Sequence, residues 1–178
     1  MLVENIPYKI AYKNIRNPRL EFKTGNLTLH LPYGYKDEQK LLEKYKNWIS
    51  KKYRFIKECR EIADRKVLNS LSDNEFKKIA LFLIEKHDIN NEIRSVSFRN
   101  FKSKWASIDS KNHITLNKKM AFLPDHLIEY IIFHEIMHTI ERRHGIRFKE
   151  LMSRRYENHK KYEKELFAYW LLISDSLQ

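Results

Sequence analysis

The chain of 178 residues is 42% hydrophobic and 33% charged, which supplies enough apolar material for a folded core and excludes a disordered chain. Its longest apolar run, residues 166–173, excludes a membrane-spanning helix, because such a helix needs about 20 apolar residues. The net charge of +12 favours a polyanionic partner such as nucleic acid, a nucleotide or an acidic protein surface, and it equally fits a lysine-rich solvated surface.

The cysteine content and the first residues indicate the compartment. Cys59 is the only cysteine, so the chain forms no internal disulfide and has no set of thiolate metal ligands. Residues 1–7 contain neither a basic leader nor an apolar signal segment. We therefore expect a soluble, cytoplasmic protein without a membrane partner, and the sequence carries no signal for an oligomeric state.

Residues 1–35 form a β-rich start. Residues 6–15 predict a strand, because they are rich in β-branched and aromatic side chains. Residues 19–23 and 27–31 alternate polar and apolar positions on either side of residues 24–26, which include a glycine. Two alternating segments around such a short turn predict a β-hairpin.

Residues 36–90 have the apolar spacing of helices. Asp37 is a candidate N-cap for a long helix whose opposite face is dense in lysine and arginine, and we expect this helix to end before Val67. Ser72 and Glu75 have the spacing of a capping box, in which each residue satisfies a free backbone N–H of the other, so a second helix is predicted to follow them.

Residues 91–178 combine a small sheet with helices. A period of two predicts three strands, at 93–101, 105–108 and 113–116, with a turn over 109–112. Three helices are predicted downstream, from Pro124 to Arg142 or Arg143, from Arg147 to Arg154 and from Tyr162 to Ile173. Because no linker, repeat or low-complexity segment interrupts the chain, we expect a single α+β domain over residues 1–178.

The segment His134-Glu135-Ile136-Met137-His138 carries the strongest functional signal. Residues four apart lie on one face of a helix, so the imidazoles of His134 and His138 can bind a single ion. Zinc accepts neutral histidine nitrogens at about 2.0–2.1 Å and lowers the pKa of a bound water to about 7. Glu135 lies beside that position and is predicted to act as the general base toward this water.

A third ligand is predicted from the residues that follow. His144 lies six residues beyond His138, about 9 Å farther along the axis if the helix continued, so its coordination requires the helix to stop first. Gly145 tolerates the turn that this requires. Glu141 is the competing candidate, because it shares a face with the motif histidines and can act as a ligand or hold a histidine tautomer.

An alternative interpretation of the motif is a buried core helix with incidental histidines, since isoleucines surround it. A third histidine at a workable offset, followed by a glycine, favours metal binding over that interpretation. The other five histidines show no ligand spacing and are predicted to be structural or exposed: His30, His87, His113, His126 and His159.

Two basic segments have more than one interpretation. Residues 98–105 interleave aromatic and basic side chains, as single-strand nucleic-acid platforms do, and as one face of an ordinary strand also does. Residues 142–155 concentrate arginine and lysine after the metal motif, where these side chains can steer an acidic partner, stabilise an oxyanion or keep the surface solvated.

The order of several motifs resembles that of the YgjP-like metallopeptidases, which are zincins distantly similar to the SprT-type proteases. The residues that carry the resemblance are Arg99, Lys104-Trp105-Ala106-Ser107, Ile114-Thr115-Leu116-Asn117, Leu123-Pro124, His134-Glu135, His138, His144 and Phe148. The family usually has Trp-Gly-Ser-Cys where this chain has Trp105-Ala106-Ser107-Ile108, a departure that leaves the predicted zinc ligands unchanged.

This resemblance implies zinc bound by His134, His138 and His144, with Glu135 catalytic. It also implies a zincin-like α+β fold, in which a small, mainly antiparallel sheet packs against the metal-binding helix and further helices. An edge strand beside that helix can pair with an extended peptide in zincins. Residues 105–108 are the candidate edge, and the alternative role of this segment is to anchor the sheet.

The favoured prediction is a zinc-dependent metallopeptidase that acts on a peptide or protein substrate. The basic charge motivates two alternatives, a metal-dependent hydrolase of nucleotide phosphoanhydrides and a nucleic-acid-binding module with a structural zinc site. Glu135 argues against the structural site, because a zinc ion that only stabilises the fold has no use for a general base.

Overall fold

The structure is a computed structural model that describes residues 2–3, 6–23, 25–88 and 90–176. The chain divides into two compact units, Met1–Asp64 and Arg65–Gln178, and each unit contains its own cluster of buried apolar side chains. The single domain expected over residues 1–178 stays a prediction. None of the described helices is long and apolar enough to cross a membrane.

The first unit consists of a four-stranded sheet and one long helix. Its elements are β1 (Leu2–Val3), β2 (Ile6–Lys13), β3 (Arg19–Lys23), β4 (Asn26–Pro32) and α1 (Glu38–Ala63). The sheet has the order β1-β2-β4-β3, with β2 parallel to β4 and the other neighbours antiparallel. Leucines of β4 and apolar residues of α1 are buried together in the core of this unit.

The hairpin predicted in the first unit is confirmed, since β3 and β4 pair antiparallel from Arg19–His30 to Lys23–Asn26. Gly25 has a φ of +96°, in the left-handed region that favours glycine, while Thr24 lies outside the described residues. Helix α1 begins after Asp37 and ends at Ala63, so it stops before Val67 as predicted, although the Asp37 side chain makes no capping hydrogen bond.

The second unit packs helices against a three-stranded sheet. Its elements are α2 (Asp73–His87), β5 (Ser95–Arg99), β6 (Ala106–Ile108), β7 (His113–Asn117), a 3-10 helix (Lys118–Phe122), α3 (Asp125–Ile140), α4 (Ile146–Ser153) and α5 (His159–Ser176). The capping box of Ser72 and Glu75 is present at the start of α2. The α+β class is therefore confirmed, and the 3-10 helix is an element that the sequence pattern did not predict.

The sheet of the second unit is mixed, which corrects the mainly antiparallel arrangement expected for it. Its order is β5-β7-β6, so β7 lies between two strands that precede it in the chain. Strand β7 runs antiparallel to β6, its hairpin partner, and parallel to β5. Strand β6 therefore lies at an edge of this sheet, and it packs against α3.

Two features hold the edge strand in position against α3. Asn117, at the end of β7, is fully buried, and its side-chain amide donates hydrogen bonds to the carbonyls of Phe101 and Lys104 at 3.1 and 2.8 Å. These bonds fix the loop that leads into β6. Helix α3 is itself buried along most of its length, because isoleucine and leucine occur on several of its faces.

Candidate metal centre

Helix α3 carries His134, Glu135 and His138 on one rigid element. The two histidines are one turn apart, and the centroids of their imidazole rings are separated by 5.0 Å. His138 and Glu135 are buried, whereas His134 is half-buried. The predicted sharing of one helix face by the two imidazoles is thus present in the structure.

The chain leaves the helix earlier than predicted. Helix α3 ends at Ile140, and Glu141 has extended backbone angles (φ −137°, ψ 107°), so the turn begins one to two residues before Arg142 and Arg143. Gly145 has a φ of −78°, which any residue adopts, and a Cβ built on it meets no atom within 4 Å. The argument that glycine permits this turn is therefore wrong, although the turn itself is present.

The turn brings His144 back to the two helix histidines. The Nε2 atoms of His144 and His134 are 3.0 Å apart, and one ring nitrogen from each of the three histidines lies within 4.8 Å of the others. Two nitrogens that share a tetrahedral zinc ion at its usual bond length are about 3.3 Å apart. The triad therefore has the dimensions of a three-histidine metal site.

Glu141 supports the triad without joining it. Nδ1 of His138 donates a hydrogen bond to the backbone carbonyl of Glu141 at 2.9 Å, and this bond leaves the Nε2 lone pair of His138 free to bind a metal. The carboxylate of Glu141 instead accepts a hydrogen bond from the backbone N–H of Arg143 at 3.1 Å. Within the described residues, the group of possible metal ligands consists of the three histidines alone.

An apolar floor of the site is formed by Phe148 of α4. Its ring lies 4.5 Å from that of His138, 4.9 Å from that of His134 and 4.7 Å from that of His144, measured between centroids. Burial lowers the pKa of His134 to about 3, assisted by the neighbouring histidines, and burial also lowers the pKa of His138. Both rings are thus neutral, which is the form that binds a metal.

The carboxylate of Glu135 is 9% exposed and faces the edge strand β6. Burial raises its pKa to about 7, while a hydrogen bond from the backbone N–H of Ile108 and the charge of Lys104 act in the opposite direction. Just outside the two ends of β6, the carbonyl of Trp105 accepts a hydrogen bond from β7 and the N–H of Asp109 donates one to β7. The alternating pattern of an antiparallel pair therefore turns the backbone groups of Ala106 and Ile108 away from β7.

Arg142 connects the loop of the triad to the turn between β6 and β7. Its guanidinium donates to the backbone carbonyl of Asp109 at 2.6 Å and to the side-chain oxygen of Asn112 at 2.7 Å. This arginine therefore positions the segment that leads to His144. Arg155, from the same basic segment of the sequence, instead donates to Glu129 at 2.8 Å.

The interleaved segment 98–105 directs aromatic side chains inward. Phe98 packs edge-on against Phe76 of α2 at 5.6 Å, and Trp105 packs edge-on against Trp170 of α5 at 4.8 Å, measured between ring centroids. Both residues border the core of the second unit. The interpretation of this segment as a strand face with ordinary packing accounts for these contacts.

Four of the histidines set aside in the sequence have polar partners, which agrees with structural roles. His30 bonds to Glu21, His87 to Glu129, His126 to Glu165, and His113 to two serines. His159 differs, because it lines a small cavity together with His134 and His144. Its position at the start of α5, fifteen residues after His144, offers no spacing from which this proximity can be predicted.

A known protein family covers the part of the chain that holds the triad. The family described as YgjP-like, metallopeptidase domain, matches residues 63–169, a stretch that includes the whole triad. The crystal structure of the metallopeptidase zymogen of Methanocaldococcus jannaschii jannalysin is similar at 27% sequence identity, with a TM-score of 0.43, over 55% of this chain and 89% of that chain. No curated protein matches the chain. Because the family match spans more than half of the sequence, the chain belongs to the YgjP-like metallopeptidase domain family.

Proposed function

We propose that this protein is a zinc-dependent metallopeptidase of the HExxH…H type. In this proposal His134, His138 and His144 hold the zinc ion and Glu135 is the general base. The observation that carries it is the convergence of three imidazoles, with no carboxylate in their group among the described residues, beside the buried carboxylate of Glu135.

The donor set fits zinc. Imidazole nitrogens are preferred zinc ligands, and a catalytic zinc site has three protein ligands and an open fourth position. The hydrogen bond from His138 Nδ1 to the Glu141 carbonyl fixes a tautomer that suits coordination through Nε2. A zinc ion bound there would supply Lewis acidity, which makes a water a stronger nucleophile and a peptide carbonyl a better electrophile.

Glu135 supplies the proton transfers in this proposal. Its carboxylate accepts a proton from the attacking water and later donates it to the leaving amine. The backbone N–H of Ile108 restrains the carboxylate, and the buried setting of Glu135 keeps bulk water from competing for it.

The substrate that fits this site is an extended peptide segment. Strand β6 is an edge strand next to α3. The N–H and C=O of Ala106 and the C=O of Ile108 point away from β7, while the N–H of Ile108 is bonded to Glu135. A peptide that adds to this edge would hold its scissile bond against the triad by main-chain hydrogen bonds. We expect the activity to be cytoplasmic, because a sequence with a single cysteine forms no internal disulfide, which suits a reducing compartment.

The alternatives are less well supported. The family match favours a peptide bond over a nucleotide phosphoanhydride as the substrate. Glu135 beside the triad favours a catalytic ion over a structural one. A polyanionic partner of the basic surface stays a prediction from the net charge of +12.

The test is a comparison of metal content and hydrolysis in matched variants. We expect about one zinc per chain by mass spectrometry of metals, and cleavage of an unfolded protein by the zinc-loaded enzyme. The variant Glu135→Gln should keep the zinc and lose about 10²- to 10⁴-fold in rate, because it removes the general base. Glu150→Gln, an exposed glutamate of α4, is the matched control and should keep both.

Nucleoside triphosphates, assayed in parallel with and without chelator, test the alternative substrate. Chelator-sensitive release of phosphate without any peptide cleavage would contradict the proposal. A Glu135→Gln variant as active as the wild type would contradict the assignment of the general base.

A further inference from the structure

A cleft opens beside the triad between the start of β6 and helix α5. One cavity of about 290 Å³ is lined by the two reactive groups His134 and Glu135 and by the apolar side chains of Trp105, Ala106 and Leu166. The cleft therefore begins at the atoms that the proposed function assigns to chemistry and extends away from them over apolar surface.

The cleft continues into a second cavity of about 310 Å³. This cavity shares Trp105 and Leu166 with the first and reaches Trp170 on the next turn of α5. The rings of Trp105 and Trp170 contact each other at 4.8 Å with an angle of 87° between their planes. Two indoles held edge to face form a stable wall on which another flat or branched apolar group can pack.

The outer part of this cleft carries one group of each charge. Lys104 and Glu163 line both cavities, and both side chains are exposed, whereas Leu166 and Ala106 are each only 8% exposed. Between these exposed charges and Glu135 at the inner end, the cleft is bounded by apolar side chains that include Leu166 and Ala106. An apolar side chain that fills this space would release water from apolar surface, whereas a charged side chain would lose hydration there.

We propose that this cleft is a specificity subsite that takes a large aliphatic or aromatic side chain next to the scissile bond of a peptide. The inference rests on the proposed function, since it assumes that the reacting bond lies at His134 and Glu135. A peptide paired with β6 directs every second side chain toward the same face. The side chain beside the reacting carbonyl is then the one that reaches the cavity, because the cavity begins at these two residues.

The size of the subsite depends on Ala106. This residue lines the inner cavity from β6, so each carbon added at position 106 takes volume from the space nearest Glu135. Leu166 limits the same cavity from α5. A larger side chain at position 106 should therefore reduce the volume of the inner cavity, whereas a shorter one at position 166 should increase it.

The experiment uses full-length, zinc-loaded Glu135→Gln protein, so that binding is measured without turnover. Peptides that differ at one position, with Phe, Leu, Ala, Lys or Glu there, are titrated while the intrinsic tryptophan fluorescence is followed. We expect the Phe and Leu peptides to bind about tenfold or more tighter than the Ala peptide, the usual range for filling an apolar pocket. The same peptides are then given to the wild-type enzyme, and the products are identified by mass spectrometry.

Two variants and one control test the subsite itself. Ala106→Val should reduce the preference for Phe over Ala by about tenfold, and Leu166→Ala should shift the preference toward the larger aromatic side chains. Leu172→Ala, a half-buried leucine of α5 that lines none of the described cavities, should leave the preference unchanged. Thermal melts followed by circular dichroism check that each variant is folded. If Ala106→Val does not fold, Leu166→Ala still tests the subsite.

The outcomes separate this inference from the proposed function. Cleavage or binding without preference for a large apolar side chain, or a preference that both variants leave unchanged, overturns the subsite and leaves the peptidase standing. Selective, saturable binding of the Phe peptide without cleavage by the wild type overturns the peptidase and leaves the subsite standing. Absence of saturable binding by any peptide overturns the subsite.

Discussion

Helix α3 contributes to two polar clusters, one with a single histidine and one with three, and their charges are arranged in opposite ways. Near its start, the carboxylate of Glu129 accepts hydrogen bonds from His87 at 2.8 Å, Lys86 at 3.0 Å and Arg155 at 2.8 Å. Near its end, His134 faces two other imidazoles, and no carboxylate belongs to their group among the described residues. Both groups contain a histidine that is nearly inaccessible to solvent, so burial alone does not distinguish them.

The difference lies in whether the protein itself supplies the opposite charge. At Glu129 the carboxylate is bonded by cationic and N–H groups of the protein itself, so the cluster is complete within the protein and ties α2 to α3. At the triad three imidazoles lie together without a carboxylate in their group, so a bound cation would complete it. Convergent ligand atoms without an opposite charge favour a metal-binding role, whereas a carboxylate paired within the protein favours a structural one.

The largest effect expected from this comparison concerns zinc content. His134→Ala should reduce the zinc content from about one ion per chain to nearly none, because it removes a proposed ligand. His87→Ala should keep the zinc and lower the free energy of unfolding by about 1–3 kcal/mol, since it leaves the Glu129 carboxylate short of a buried donor. Metal analysis and urea denaturation measure the two effects. Stoichiometric zinc in His134→Ala would contradict the comparison.

The second effect is the dependence of stability on the metal. A ligand that binds only the folded state adds about 4 kcal/mol when it is present at 1,000 times its dissociation constant. Chelation should therefore lower the midpoint of thermal unfolding of the wild type by several degrees or more. It should leave the midpoint of His134→Ala unchanged. Equal responses of the two proteins to chelator would show that the zinc is bound elsewhere.

A smaller effect is expected at Arg142, which supports the triad from outside. Arg142→Ala removes the bonds to the turn between β6 and β7, and loss of such supporting contacts commonly weakens metal binding by about 10- to 100-fold. Competition with a fluorescent zinc chelator measures the affinity. Arg143→Ala, at an exposed neighbouring position, is the control and should bind zinc like the wild type.

The smallest effect concerns acid and the Glu129 cluster. Burial alone would raise the pKa of Glu129, but the hydrogen bonds from Lys86, His87 and Arg155 outweigh it and lower the pKa to about 2. A carboxyl with a depressed pKa in the folded state contributes stability above its unfolded pKa, near 4.5, and loses that contribution as the pH falls toward about 2. Stability of the metal-free protein should therefore decline over this interval, and Glu129→Gln should decline less steeply. Parallel curves would contradict the role of Glu129.

The sequence predicted those features that depend only on residues close together in the chain. The hairpin at Gly25, the capping box at Ser72 and the spacing of His134 and His138 each depend on residues within a few positions of one another. The prediction that the helix stops before His144 was also correct. The proposed cause, a turn that depends on glycine at position 145, was wrong, because Gly145 adopts an ordinary backbone conformation.

The other features of the fold and the site depend on contacts between distant segments, which the periodicity of a sequence does not predict. The insertion of β7 between β5 and β6 made one pairing of the sheet parallel. Phe148 carries part of the family resemblance, but its spacing does not predict that its ring lies against all three imidazoles. Helix α5 was predicted as an element, but nothing in its sequence indicated that Glu163 and Leu166 would line a cleft at the triad.

The division of the triad between a helix and a loop has a consequence for the kinetics of metal exchange. His134 and His138 are held ready on α3, whereas His144 lies in an exposed segment between two helices. A metal ion bound at the triad would have ligands on two elements, and loss of the His144 ligand would require residues 141–145 to move. Restraints on that loop, such as the bonds from Arg142 to Asp109 and Asn112, would therefore lengthen the lifetime of the bound metal.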